Sequence, residues 1–181
     1  IIQDEGFSGG VGGRLTKEGM NSLLLNAKNV YSGGTNLNQG VLMTDHVSAL
    51  GTGLLTINGG QLYPLSKLRV DEVLWNDGVI RLPIGQPTRL SVVHDFNNGG
   101  GTRSFLFDYN YTPLLQENTL LTFGGTTNFL AENFVGSGLP EIPNVILEHE
   151  FRVTPHSILL YFTKATAWGP TLQNSAPVLI P

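Results

Sequence analysis

The densest group of chemically active side chains is Glu148-His149-Glu150. An imidazole between two carboxylates has the residue types of a zinc site. In a strand, however, successive side chains alternate, so His149 points away from both carboxylates and the three cannot converge on one ion without a bulge. His94-Asp95, with Arg103 and Asp108 nearby in sequence, has the elements of acid–base chemistry, because a carboxylate held against an imidazole raises its basicity. Neighbouring strand residues again point apart, so a solvated surface pair accounts for them better. Asp71, Glu72 and Asp77 flank Trp75, and a glycoside hydrolase needs two carboxylates roughly 5–9 Å apart on one face. Asn76-Asp77-Gly78 has the composition of a tight turn. Asn97-Asn98-Gly99-Gly100-Gly101 reads as a loop, since its glycines do not lead from a strand into a helix as a phosphate cradle requires. Gly9-Gly10-Val11-Gly12-Gly13-Arg14 lacks the Asp of a calcium-binding nonapeptide. With no Cys, thiolate ligands and thiol nucleophiles are excluded. No catalytic residue, metal site or cofactor is expected.

Aromatic side chains remain as candidates for recognition. Trp75, Tyr109, Tyr111 and Trp168, with Tyr63, have rings that stack on sugars or anchor a protein partner. Tyr109 and Tyr111 alternate and so share a strand face. The same rings can instead fill a core, and their ordinary burial preference favours that reading.

The elements that must carry these residues are short strands. Apolar residues make up 40 % of 181 residues while charged residues reach 13 %, about half the usual ~25 % share, which disfavours long exposed helices. Leu23-Leu24-Leu25, Val41-Leu42-Met43 and Leu54-Leu55-Thr56-Ile57 alternate with Ser32-Gly33-Gly34, Gly51-Thr52-Gly53 and Asn58-Gly59-Gly60, where the backbone can take positive φ and turn. No window sustains a helical apolar period. Weak self-similarity between the segments predicts an all-β solenoid, with Leu24 and Leu55 facing inward and Asn26, Asn38 and Asn58 bonding along the stack. From about Leu65 the strands become richer in Phe and Tyr, which suits a wider or capped core.

Gly13-Arg14-Leu15-Thr16-Lys17-Glu18-Gly19, Leu23-Leu24-Leu25-Asn26, Asn29-Val30-Tyr31-Ser32-Gly33-Gly34-Thr35, Leu37-Asn38-Gln39-Gly40-Val41-Leu42, Ala49-Leu50-Gly51-Thr52-Gly53 and Asn58-Gly59-Gly60-Gln61-Leu62 follow one another in order. Together they resemble the passenger-associated repeat of bacterial autotransporters. The resemblance covers the first third of the chain and departs from the family at Met20-Asn21-Ser22, where a Gly-containing approach to the next strand is usual. It implies coils of a right-handed parallel β-helix over residues 1–64. Residues 65–167 are then further coils or an irregular or antiparallel C-terminal cap. Residues 120–134 and 146–162 look similar to the last passenger segment of large autotransporter-like proteins, with a closing hairpin. Residues 168–181, with Pro170, Pro177 and Pro181, are expected to form an extended tail.

What these features allow is a display or adhesion role more readily than catalysis. A net charge of −4, with ten basic residues spread thinly along the chain, argues against a nucleic-acid partner. No apolar run approaches the roughly 18 residues of a membrane span. The start at Ile1, with no basic and apolar leader, reads as an internal cut, with any signal or anchor outside the segment. The resemblance implies an extracellular or bacterial outer-surface location and a host or neighbouring-cell protein or glycan as partner. A self-assembling filament or surface-layer subunit, contacting identical copies, and a carbohydrate-active enzyme stand as the alternatives.

Overall fold

The protein is described by a computed structural model covering residues 12–109, 117–139 and 145–167. Its strands are short because Gly-rich corners recur at close intervals. At one corner Gly40, Gly60 and Gly78 all take positive φ. A Cβ on Gly60 would lie 2.6 Å from the carbonyl oxygen of Gly40, and one on Gly78 would lie 2.6 Å from that of Gly60. Each glycine is therefore required twice, by its own dihedral and by the backbone stacked on it.

The strands form three sheets, and successive returns of the chain add parallel strands until an antiparallel hairpin closes the C-terminal end. The first sheet contains β1 (Leu15–Lys17), β3 (Thr35–Leu37), β5 (Leu54–Ile57), β8 (Glu72–Trp75) and β11 (Phe96–Asn98) in that order. The second contains β2 (Ser22–Leu25), β4 (Val41–Thr44), β6 (Gln61–Pro64), β9 (Gly78–Ile84), β12 (Arg103–Tyr109) and β14 (Val135–Ser137). Register links Leu15 to Thr35, Thr35 to Leu55, Leu55 to Val73 and Val73 to Phe96. Pairing of β5 with β8 and of β6 with β9 carries both sheets past residue 64 without interruption.

The third sheet begins just beyond that point, with β7 (Leu68–Val70), β10 (Leu90–Val92) and β13 (Glu117–Phe123) in parallel. Earlier returns close this side without strands. Buried Asn29 donates from Nδ2 to Ala49 O at 2.7 Å, and the Tyr31 hydroxyl meets Thr35 Oγ1 at 2.7 Å. The third sheet ends differently: β16 (Ser157–Ala167) pairs antiparallel with β13, and β15 (Val145–Val153) pairs antiparallel with β16.

Alternation fills the interior between the sheets. Leu42, Leu62, Ile80 and Phe105 succeed one another on the inner face of the second sheet, and Leu68, Leu90, Leu121 and Ile158 on that of the third. The change from Leu to Phe widens the core toward the C-terminal end. There Phe151 of β15 reaches Phe105 at 5.7 Å and Phe134 at 5.7 Å, so the final hairpin covers rings contributed by the second sheet.

Two expectations require correction. Leu24 faces outward and is 45 % exposed, whereas Leu55 is 1 % exposed. In a run of three leucines the apolar pattern does not fix the phase, and pairing with β4 turns Leu23 and Leu25 to the interior. The expected asparagine column exists, with Asn38 and Asn58 in it and Asn76 in place of Asn26. Asn38 Nδ2 donates to Glu18 Oε1 at 2.5 Å, Asn58 Nδ2 to Asn38 Oδ1 at 2.8 Å, and Asn76 Nδ2 to Asn58 Oδ1 at 2.7 Å. The steps are 20, 20 and 18 residues. Asn26 is exposed and lies off this column, after β2 at a different corner.

Candidate functional site

Of the four aromatic candidates, the structure places two. Trp75 is fully buried at the inner end of β8, with its ring 5.3 Å from Phe105, 6.1 Å from Phe129 and 6.2 Å from Phe96. Its indole Nε1 donates to Asp77 O at 3.2 Å, so both its apolar body and its polar tip are already used. Trp75 is therefore a core residue and not a surface binder; its register partner Ile57 occupies the same inner row. Tyr109 is half-buried against the core. Tyr111 and Trp168 lie outside the described residues. The two described members, Trp75 and Tyr109, do not form an exposed aromatic face.

The carboxylates are dispersed, and Asp71, Asp77 and Asp95 are committed to backbone amides. Asp71 Oδ2 accepts from Gly53 N at 3.2 Å, and Asp77 Oδ1 accepts from Gly78 N at 2.6 Å. They stand at opposite ends of β8, whose four residues span about 13 Å at ~3.3 Å per residue. That exceeds the roughly 5–9.5 Å separation used in glycoside hydrolysis. Asp95 Oδ1 accepts from Thr126 N at 2.7 Å and Thr126 Oγ1 at 3.1 Å. Those two bonds, with a smaller contribution from the neighbouring His94, hold its carboxyl below the ordinary range. Asp95 thus pins the loop after β13 and is not oriented as a partner for an imidazole.

Asp108 pairs with Arg81 and not with Arg103. Arg81 Nε lies 2.9 Å from both carboxylate oxygens and Nη2 2.6 Å from Oδ1, while the guanidinium carbon sits 4.2 Å from the Tyr63 ring centroid. Burial, followed by the Asp108 hydrogen bond and charge, pushes the Tyr63 phenol up. The bidentate pair and the ring beneath it are fully occupied with one another, so this cluster braces the outer face of the second sheet. Arg103 is buried elsewhere, with Nη1 donating to Gly100 O at 2.5 Å.

Glu148, His149 and Glu150 do not converge. Glu150 pairs with Arg152 at 2.5 Å, and His149 lies edge-on to Phe151 at 6.2 Å, so alternate residues of β15 divide the three between two faces. The β15–β16 register shifts between Glu148 and His149, opposite Thr163, without reorienting them toward one another. Among the described residues, no group of three or more His, Cys, Asp or Glu side chains is placed to hold a metal ion.

Among the described residues, the outer face of the third sheet carries a concentration of like charge that sequence order conceals. Lys67 and Arg69 flank the inward Leu68, so both point out of β7. Register sets Leu90 beside Leu68, and Leu68 N donates to Arg89 O at 2.7 Å, which brings Arg89 alongside Lys67. Ser91 lies directly between Arg69 and Thr122. These side chains, with Thr88 and the half-exposed Val47, line a cleft of about 250 Å³. Arg69 also borders a second cleft, of about 230 Å³, with Lys28, Ser48 and Asp71. Arg89 donates to Pro64 O at 3.3 Å and Gln86 Oε1 at 3.2 Å, both neutral acceptors. Among the described residues the ion pairs are Arg81–Asp108 and Arg152–Glu150, and neither involves this face. The signal available in the sequence was the Lys-x-Arg alternation at 67 and 69, together with a repeat near 20 residues that returns Arg89 to the same face.

Comparison of the chain with protein-family models, with curated proteins and with solved structures finds no match.

Proposed function

We propose that the chain is a right-handed parallel β-helix, a solenoid that serves as an extracellular structural and adhesive module of a larger bacterial cell-surface or secreted protein, with no catalysis of its own. The observation that carries this reading is the stack itself: three sheets built by successive parallel returns, one asparagine column along a corner, and an antiparallel hairpin at the C-terminal end. Such an architecture creates long, rigid outer faces instead of an enclosed pocket. Parallel connections within a sheet are overwhelmingly right-handed, which favours that hand. The dispersal of Asp71, Asp77, Asp95 and Asp108 into separate backbone or arginine contacts supports a scaffold over a hydrolase. The passenger-repeat resemblance of residues 13–62 supplies the cell-surface setting.

The test uses beads coated with the purified chain, applied to surfaces bearing acidic glycans, neutral glycans or extracellular proteins, alongside sedimentation of the free chain. Retention of coated beads on one surface class, with a free chain that sediments as a small species, is the expected result. Large, regular assemblies without retention would instead establish the filament reading. Release of reducing ends from a polysaccharide would overturn the non-catalytic role.

A further inference from the structure

We propose, resting on the adhesive reading above, that the groove formed by Lys67, Arg69 and Arg89 on the third sheet binds an acidic polysaccharide chain through its sulfate or carboxylate groups. Three cations converge on one small cleft whose lining contains no carboxylate. Neighbouring strands lie about 4.8 Å apart and alternate residues along a strand about 6.6 Å, so Lys67, Arg69 and Arg89 occupy three corners of one small grid. Ser91 takes the fourth corner, beside Arg69. Like charges at this spacing repel, and an anion seated among them relieves that repulsion.

The shape selects the class of anion. At about 250 Å³ the cleft falls below the roughly 300–1,000 Å³ of pockets that enclose drug-sized ligands, and it is continued across Arg69 by the second cleft. A linear chain that places one unit in each cleft fits better than a compact molecule. Hydroxyls of Thr88, Ser91 and Thr122 stand beside the cations. Thr88 Oγ1 donates to Thr119 O at 3.0 Å and Thr122 Oγ1 to Ser91 Oγ at 3.4 Å, which leaves their oxygens as acceptors and the Ser91 hydroxyl as a donor for sugar hydroxyls. No aromatic ring lines either cleft, so nothing there stacks on a nucleobase as single-strand binders do. Asp71 borders the far cleft, which assigns the anionic group to the Lys67–Arg89 end.

The decisive experiment is calorimetric titration of the whole chain with three probes: a heparin-derived octasaccharide, an oligogalacturonate of similar length and a neutral dextran oligosaccharide. Binding of one or both acidic probes, weakening as salt rises, with none of dextran, is expected. Lys67→Gln combined with Arg69→Gln should weaken that binding by roughly tenfold or more. Arg14→Gln with Arg152→Gln removes the same two charges far from the groove and should leave it nearly unchanged. Ser91→Glu, an exposed substitution that inserts an anion among the cations, provides a second, independent block and should give a comparable loss. Equal weakening by both double variants would show that net charge alone governs binding and would refute the groove. Failure of both acidic probes to bind, or a DNA oligonucleotide binding as tightly as the saccharides at equal charge, also overturns the assignment. Soluble acidic probe bound at the groove while coated beads fail to adhere would refute the adhesive role and keep the site. Beads that adhere equally with and without the double substitution, with calorimetric binding also unchanged by it, would refute the site and keep the role.

Discussion

Replacing Leu55 and Leu24 in turn tests the phase of the strands, which the stacking argument depends on. Leu55 is 1 % exposed and sits between Thr35 and Val73, so truncation to Ala leaves a cavity bounded by backbone on both sides. Such a deletion costs about 2.7–5 kcal/mol where the surroundings cannot collapse, and the flanking strands here are held by their own neighbours. Leu24 is 45 % exposed on the outer face, and its truncation should cost under about 1 kcal/mol. Leu55→Asp is harsher, because an unpaired carboxylate in that position adds several kcal/mol of desolvation. Against a total stability of about 5–15 kcal/mol, Leu55→Asp should unfold the returns on either side, whereas Leu24→Asp should fold normally. Urea unfolding followed by circular dichroism and by the fluorescence of buried Trp75, in a Trp168→Phe background, measures both. Equal losses at the two positions, or a larger loss at Leu24, would refute the register of β2 against β4 and β5 against its neighbours.

Removing Asn58 from the column, as Asn58→Ala, deletes two side-chain hydrogen bonds and should lower stability by about 1–2 kcal/mol in urea titration, given ~0.5–1.5 kcal/mol net for each bond. Asp95 titrates lower in the folded than in the unfolded chain, so it contributes stability above its ordinary 3.8 that disappears as the pH falls through its lower folded value. In Asp95→Asn the decline of the melting temperature over that acid interval should be shallower than in the parent; an unchanged slope would mean the Thr126 contacts do not bias the carboxyl. Lys17→Met strips the donor from Glu18 O, Gly19 O and Gln39 O and should cost about 1–3 kcal/mol by denaturant titration, despite preserving the length of the side chain.

Strand type and turn position were legible because Leu, Val and Ile triplets between glycines have few other ways to bury themselves, and Gly40, Gly60 and Gly78 occupy positions only glycine tolerates. Phase was not legible at Leu23-Leu24-Leu25, where every choice buries a leucine; pairing with Val41–Thr44 decides it. Trp75 illustrates a different limit. Its flanking acids, Asp71, Glu72 and Asp77, suggest an exposed site when read along the chain, yet alternation sends Glu72 outward and Trp75 inward. The basic groove escaped for the opposite reason: Lys67 and Arg89 are distant in sequence and adjacent only once Leu68 and Leu90 are paired. A charge count along the chain registers thin scatter where the fold makes a cluster.

The two buried cations follow from the same stacking. In the middle of the asparagine column each side-chain amide finds its equivalent one return away, so the corner satisfies itself. At its first step the partner is Glu18 instead of Asn, and Lys17, 6 % exposed, turns its ammonium onto the carbonyls of Glu18, Gly19 and Gln39. At the far end Gly99 offers no side chain to continue the column. There Arg103, also 6 % exposed, donates to Asn76 O at 3.4 Å and Gly100 O at 2.5 Å, with its guanidinium 5.5 Å from the Phe129 ring. Burial lowers the Arg103 pKa, a cost opposed by nearby Asp77. Backbone carbonyls that lose their repeating partner still require donors. A long cationic side chain can reach several of them at once, which an asparagine cannot. Buried Lys and Arg without ion-pair partners are therefore the expected residues where a polar column runs out, and at these two positions they mark its limits.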